Sequence, residues 1–206
     1  MSPLYRTGYI FCHFIGKLIF DFKVYGRENF IENAAAILAS NHQSYLDPPC
    51  IGMACRQEIY YLARKTLFER PWFGPLVRRL NTVPVDPDRG DISSIKTVIR
   101  LLRGGNRVII FPEGTRSPDG RLQPARAGLG MVITKTLAPV VPIRVFGTFD
   151  ALPRKGGFRP VPISVVVGKP IQFTEEDLKD DRDIYQSLSN RVMEKIAGLA
   201  LPPERR

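Results

Sequence analysis

The run Ala34-Ala35-Ala36-Ile37-Leu38-Ala39-Ser40, followed by Asn41-His42-Gln43-Ser44-Tyr45-Leu46-Asp47-Pro48-Pro49, decides the fold. Its first seven residues are an apolar segment of strand length. A proline follows Asp47, and a residue before proline avoids the α region. Asp47 therefore reads as a helix N-cap, with Pro48 at the first helical position. Strand, tight loop and helix follow one another within sixteen residues.

Working outward, strand-length apolar runs rich in β-branched residues recur at Ile59–Ala63, Val83–Val85, Val108–Phe111, Val140–Val145 and Ile163–Val167. Helical patterns separate them. Over Ile92–Arg103, Asp91 is the expected N-cap, Ile92, Ile95, Ile99 and Leu102 form the buried face, and Gly104 ends the helix. Pro71 and Pro75 break Thr66–Leu80 into short helices. Ile184–Leu199 reads as a closing amphipathic helix on Ile184, Leu188, Val192, Ile196 and Leu199. Strands alternating with helices predict a single α/β domain whose mixed, largely parallel sheet is flanked by helices. No linker divides the chain. The expected division is an N-terminal amphipathic segment over 1–27 and one domain over 28–206.

With 206 residues, 44% hydrophobic and 24% charged, the chain can bury a core without disulfides or a structural metal, and its composition excludes collagen, coiled coil and disorder. Three cysteines and two histidines without a C-x-x-C pair predict no metal site and reduced, intracellular thiols. The net charge of +10 calls for a partner: nucleic acid, an anionic membrane surface, or an acidic carrier or substrate. Six acids crowd into Glu175–Asp183, so 28 bases face 14 acids elsewhere. Those bases are scattered, with no basic helix, which speaks against nucleic acid.

Tyr9–Phe22 is rich in large apolar residues but falls short of the roughly 20 needed to cross a bilayer. It carries no A-x-A cleavage site. As a helix it would align His13, Lys17 and Asp21 in a polar ridge opposite Phe11, Phe14, Ile15, Leu18 and Phe22. Such a helix either lies flat in a membrane interface or packs on its own domain.

Two loops carry chemistry. His42 and Asp47 are five residues apart. A strand-to-helix reversal brings them within hydrogen-bond reach, where they would form the base half of a nucleophilic triad. No G-x-S-x-G motif supplies a serine, so the nucleophile would be a hydroxyl on the substrate. The simpler reading is a helix cap and a loop histidine. The second loop is Phe111-Pro112-Glu113-Gly114-Thr115-Arg116-Ser117. Arg116 offers a guanidinium, Thr115 and Ser117 offer hydroxyls, and Gly114 lets backbone N–H groups approach an anion, which are the parts of a phosphate site. The alternative is a surface turn ending at Asp119-Gly120. Both loops would leave the carboxyl ends of their strands, where ligands gather in open α/β sheets.

Together the two loops resemble the signature of the glycerophospholipid acyltransferase family. That family pairs N-H-x-x-x-x-D with F-P-E-G-T-R-S farther along the chain, and here Glu113 follows His42 by 71 residues. The likeness extends over 30–172. Ala63-Arg64-Lys65-Thr66-Leu67-Phe68, with Pro71 and Gly74, is similar to the family's lysine-bearing block, and Val141-Pro142-Ile143 matches its V-P-I/V block. In one block the chain departs from the pattern. The family places an arginine directly after P-V-D, whereas here Pro87 and Asp88 separate Asp86 from Arg89.

The resemblance implies acyl transfer from a thioester, acyl-coenzyme A or acyl-carrier protein, to the free hydroxyl of 1-acylglycerol-3-phosphate, without metal or cofactor. His42 would be the general base and Asp47 its orienting carboxylate. Arg116 and Lys65, with Gly114, Thr115 and Arg89, would hold the acceptor phosphate, and Glu113 would organise the loop or hold a glycerol hydroxyl. A lipid acceptor implies a peripheral protein on the cytoplasmic face of the inner membrane. Alternatives are another lysolipid or glycerol-3-phosphate as acceptor, and, more remotely, a non-catalytic basic module for lipid or nucleic acid.

Overall fold

A computed structural model describes residues 3–69, 71, 74–85, 91–179 and 183–203. The expected architecture is present. Five strands form one sheet: β1 (Lys23–Tyr25), β2 (Ala36–Ser40), β5 (Arg107–Ile110), β6 (Val140–Phe146) and β7 (Ser164–Val167), in the order β1-β7-β6-β2-β5. β2 runs parallel to both β5 and β6, β1 runs parallel to β7, and the β6–β7 pair is antiparallel. A parallel ribbon of β3 (Tyr61–Arg64) and β4 (Thr82–Val85) joins this sheet beside β5 through a parallel bridge from Tyr60 to Val108.

All five residues of β2 are buried, and their alternation divides the core in two. Ala36 and Leu38 face α1 (Pro3–Phe20) and α2 (Asp47–Ala54), packing with Phe20, Ile51 and Ile109. Ile37 and Ala39 face α4 (Asp91–Arg103), α5 (Gly128–Thr136) and α7 (Ile184–Ala197), packing with Val98, Ile133, Leu188 and Val192. A strand covered on both faces has no polar side, which is why its sequence shows no alternation. α5 and α7 approach so closely that a Cβ on Gly130 would collide with the Tyr185 carbonyl oxygen. The Gly130 N–H meets Ser189 Oγ there at 2.8 Å.

Several expectations shift. The segment Thr66–Leu80 does contain short helices, a 3-10 turn at Lys65–Leu67 and α3 (Gly74–Arg79). β1, α5 and the single turn α6 (Thr148–Ala151) have no sequence pattern long enough to read. The first helix starts at Pro3 and ends at Phe20, and Asp21 breaks it with φ 41°. Asp21 and Phe22 are therefore not on the helix. Phe22 is buried, and His13 stacks on Tyr9 with its Nδ1 buried and unpartnered. Burial lowers the His13 pKa, helped by Arg27, Lys17 and Arg56. The ridge of His13, Lys17 and Asp21 is accordingly not a continuous wet face. One side of α1 packs on the domain through Tyr5, Gly16 and Phe20, and Gly16 sits against Met53. The other side leaves Leu4, Ile10, Phe11, Phe14 and Leu18 exposed. Among the described residues no helix is long and apolar enough to cross a membrane.

Candidate active site

β2 and β5 are parallel neighbours, so the loops following Ser40 and Ile110 leave the same rim of the sheet. Asn41 continues the work of β2 past its end. Its side chain accepts from the Val145 N–H at 2.7 Å and donates to the Val145 carbonyl at 3.0 Å, and Gln43 donates to that carbonyl at 2.6 Å. The histidine loop is thereby fastened to β6.

Asp47 is not the N-cap the sequence suggested. It is the first residue of α2, and its carboxylate turns back into the preceding loop rather than onto the helix. Oδ2 accepts from the backbone N–H groups of Gln43 at 2.6 Å and Ser44 at 2.7 Å, and from His42 Nδ1 at 2.8 Å. Oδ1 accepts from the Thr148 hydroxyl at 2.5 Å. Four donors fill the acceptor sites of one carboxylate. Because the carboxylate faces Nδ1, the imidazole proton sits there and Nε2 presents its lone pair. Nε2 has no hydrogen-bond partner among the described residues. Asp47 is fully buried, whereas the His42 side chain keeps 17% of its surface open to solvent. A partly open imidazole above a buried carboxylate is suited to accepting a proton from a docked hydroxyl.

The second loop fixes the same histidine. Glu113, 2% exposed, accepts from the His42 backbone N–H at 2.8 Å through Oε1 and from the Gln123 N–H at 3.1 Å through Oε2. Ser117 N–H donates to the His42 carbonyl at 2.7 Å. Both backbone polar groups of His42 are thus held by the F-P-E-G-T-R-S loop, and Phe111 stacks on its ring at 3.9 Å. Burial pushes the Glu113 carboxyl up to about 7 despite its two N–H donors. Of the two roles the sequence allowed Glu113, loop organisation is the one these bonds support.

Gly114 adopts φ 71°, a conformation that favours glycine. A Cβ there would meet Arg126 Cδ at 2.7 Å, so the Arg126 side chain lies against the turn. Arg116 rests 3.6 Å above the ring centroid of Tyr45, which is 69% exposed. Thr115 is exposed beside it. Lys65 is exposed just beyond β3, whose parallel bridge to β5 turns its carboxyl end toward the same rim. Arg89 lies outside the described residues. No group of three or more metal-ligating side chains occurs among the described residues. Sequence reading missed Thr148, Tyr45 and Arg126. Thr148 lies 101 residues from Asp47 and only the fold unites them, while the aromatic ring so near His42 was the one available hint.

A three-layer α/β sheet with a carboxylate-oriented histidine and an arginine-bearing loop at one rim defines a class, and comparison with known proteins supplies its name: the family described as Acyltransferase matches residues 21–146, and the chain belongs to that family. Among particular relatives, it is 31% identical to the 1-acyl-sn-glycerol-3-phosphate acyltransferase of Bacillus subtilis (strain 168) over 196 residues, covering 93% of this chain and 96% of that protein. It is 33% identical to the chloroplastic 1-acyl-sn-glycerol-3-phosphate acyltransferase BAT2 of Brassica napus, covering 83% of this chain but only 53% of that protein. The chain therefore spans about half the length of the plant relative and nearly all of the bacillar one. The crystal structure of the 1-acyl-sn-glycerophosphate (LPA) acyltransferase PlsC from Thermotoga maritima superposes with a TM-score of 0.75 at 27% identity, covering 96% of this chain and 81% of that one.

Proposed function

We propose that the chain transfers an acyl group from a thioester, acyl-coenzyme A or acyl-carrier protein, to the free hydroxyl of 1-acylglycerol-3-phosphate, giving phosphatidic acid. The observation that carries this reading is the open Nε2 of a histidine whose Nδ1 is held at 2.8 Å by a buried carboxylate. His42 Nε2 takes the acceptor's hydroxyl proton as the oxygen bonds to the thioester carbonyl carbon. The C–S bond then breaks, and the imidazolium returns the proton to the departing thiolate. Asp47 holds the tautomer and stabilises the transient imidazolium. Arg116 of the second loop, flattened on Tyr45, and Arg126, whose side chain lies against Gly114, hold the acceptor phosphate together with Lys65 and Arg89. Fixing the phosphate positions the hydroxyl, and such positioning is worth several kcal/mol.

The exposed apolar face of α1 rests in an anionic membrane surface, where the acceptor resides. In this reading residues 1–27 form the interfacial segment and 28–206 the acyltransferase domain, with β1 stitching the first to the sheet, on the cytoplasmic face of the membrane. An acceptor screen with one acyl donor tests the assignment. Thiol release should be fastest with 1-acylglycerol-3-phosphate and slower with a lysophospholipid whose phosphate is a diester. Faster turnover with glycerol-3-phosphate or with the diester would transfer the assignment to another acceptor.

A further inference from the structure

The connection between α6 and β7 is a second surface of unusual composition. It reads Leu152-Pro153-Arg154-Lys155-Gly156-Gly157-Phe158-Arg159-Pro160, and no acid occurs between Asp150 and Glu175. Arg154, Lys155 and Arg159 are all exposed. At its tip Phe158 is 54% exposed and meets Phe20 edge-on at 5.4 Å between centroids. Three cations around a half-open aromatic ring match a bilayer whose headgroups are anionic and whose boundary accepts aromatics.

The loop is attached to both the histidine loop and α1. Its first residue, Leu152, accepts a hydrogen bond at 2.8 Å from the Ser44 hydroxyl, three residues from Asp47 in the histidine loop. Three residues past its far end the Ile163 N–H donates to the carbonyl of Phe20, the last residue of α1, at 2.8 Å. Internally, the Arg159 N–H donates to Ala151 at 2.8 Å and closes the base of the loop. A short, cross-linked segment thus runs from the histidine loop to the end of the apolar helix. Its exposed ring, Phe158, lies against Phe20 at the end of the helix whose other side exposes Phe11, Phe14 and Leu18.

We infer that the loop 152–160 is a second anionic-lipid contact that acts with α1 and brings the histidine loop down to the bilayer. This rests on the membrane reading proposed above for α1. The partner it fits is a lipid surface of negative charge bearing the acceptor.

Sedimentation with phosphatidylglycerol-containing vesicles at low and high salt tests it. The variants are the triple change Arg154→Gln, Lys155→Gln, Arg159→Gln, and separately Phe158→Ala and Phe158→Trp. Each cation beside an anionic surface is worth roughly fivefold in partitioning. The triple variant should pellet far less than the intact chain and lose part of its salt dependence. Phe158→Ala should weaken pelleting and Phe158→Trp preserve it, while all variants turn over a monodisperse short-chain acceptor at the rate of the intact chain. If the intact chain itself does not pellet, the membrane reading of α1 fails and takes this inference with it. If the intact chain pellets and the variants pellet equally, the inference alone is overturned. Unchanged pelleting with slower turnover only when the donor is acyl-carrier protein would assign the loop to that acidic protein and also overturn it.

Discussion

Replacing Asp47 by Asn should slow acyl transfer about a thousandfold while leaving the fold and the acceptor's KM nearly unchanged. Three donors converge on Oδ2, from His42, Gln43 and Ser44, whereas among the described residues Oδ1 receives only the Thr148 hydroxyl. An amide NH2 cannot occupy the position facing three donors, so the Asp47→Asn side chain must place its oxygen there. Its NH2 then faces Thr148, whose hydroxyl can rotate to accept. The loop survives and His42 keeps its Nδ1 proton. What disappears is the negative charge beside the imidazolium that forms as the hydroxyl attacks. Two unit charges about 4 Å apart interact by about 4 kcal/mol at an effective dielectric constant of about 20. A tenfold change in rate corresponds to about 1.4 kcal/mol, so the loss is about three decades in kcat. Asp47→Ala would be a poorer test, because it leaves two buried backbone N–H groups without acceptors. The assay is thiol release at saturating donor with the acceptor varied, beside a thermal melt. A folded variant turning over within about tenfold of the intact protein would show that the charge does not stabilise an imidazolium, and the proposed role of Asp47 would fall.

Thr148→Val removes the hydroxyl on Asp47 Oδ1 while keeping the shape, and should reduce kcat with the acceptor's KM unchanged, because the carboxylate that orients His42 loses one of its four donors. Thr148→Ser should restore kcat, and an unchanged kcat in the folded valine variant would show the contact to be structural only. Tyr45→Ala should raise the acceptor's KM severalfold by freeing Arg116, since an exposed cation–π contact is worth about 0.5–1 kcal/mol. Arg116→Lys should not recover what Arg116→Ala loses, because an ammonium cannot make the bidentate contact, and acceptor titrations check both. Glu113→Gln offers one acceptor to two N–H donors and should cost about 1–3 kcal/mol in urea unfolding. The folded Glu113 carboxyl titrates at about 7 and the unfolded one near 4.5. The unfolded chain thus releases its proton first, so wild-type stability should decline as pH rises through that interval and the Gln variant should lack this decline.

The sheet and the dyad were legible because each rests on local pattern. The run through Ala36–Ser40 is apolar on both faces since helices cover both, and His42 and Asp47 lie within a single turn of one another. What escaped was whatever long-range packing decides. Thr148 meets Asp47 across 101 residues, and β1 is only three residues long, held by pairing with β7 rather than by any periodicity. α5 begins Gly128-Leu129-Gly130, which propensity marks as a poor helix. Gly130 is there because the Tyr185 carbonyl leaves no room for a Cβ. The cap expected at Asp47 is one residue out for a physical reason. The residue before a proline usually caps a helix, but here the carboxylate is needed by the loop, and Asp47 enters the helix itself. His13 follows the same logic in reverse. Helical spacing puts it with Lys17 on a wet face, but the chain turns back at Asp21 and lays Phe22 edge-on against its ring.

The measurement that bears most directly on the central claim couples thiol release to product formation in His42→Ala. With the intact protein, an acyl thioester and 1-acylglycerol-3-phosphate, one phosphatidic acid should appear for each thiol released, and neither should appear without acceptor. In His42→Ala both should fall together by about 10² to 10⁴, the usual worth of a general base, with the melting transition retained. Phosphatidic acid formed at the intact rate by the folded His42→Ala protein would contradict the account.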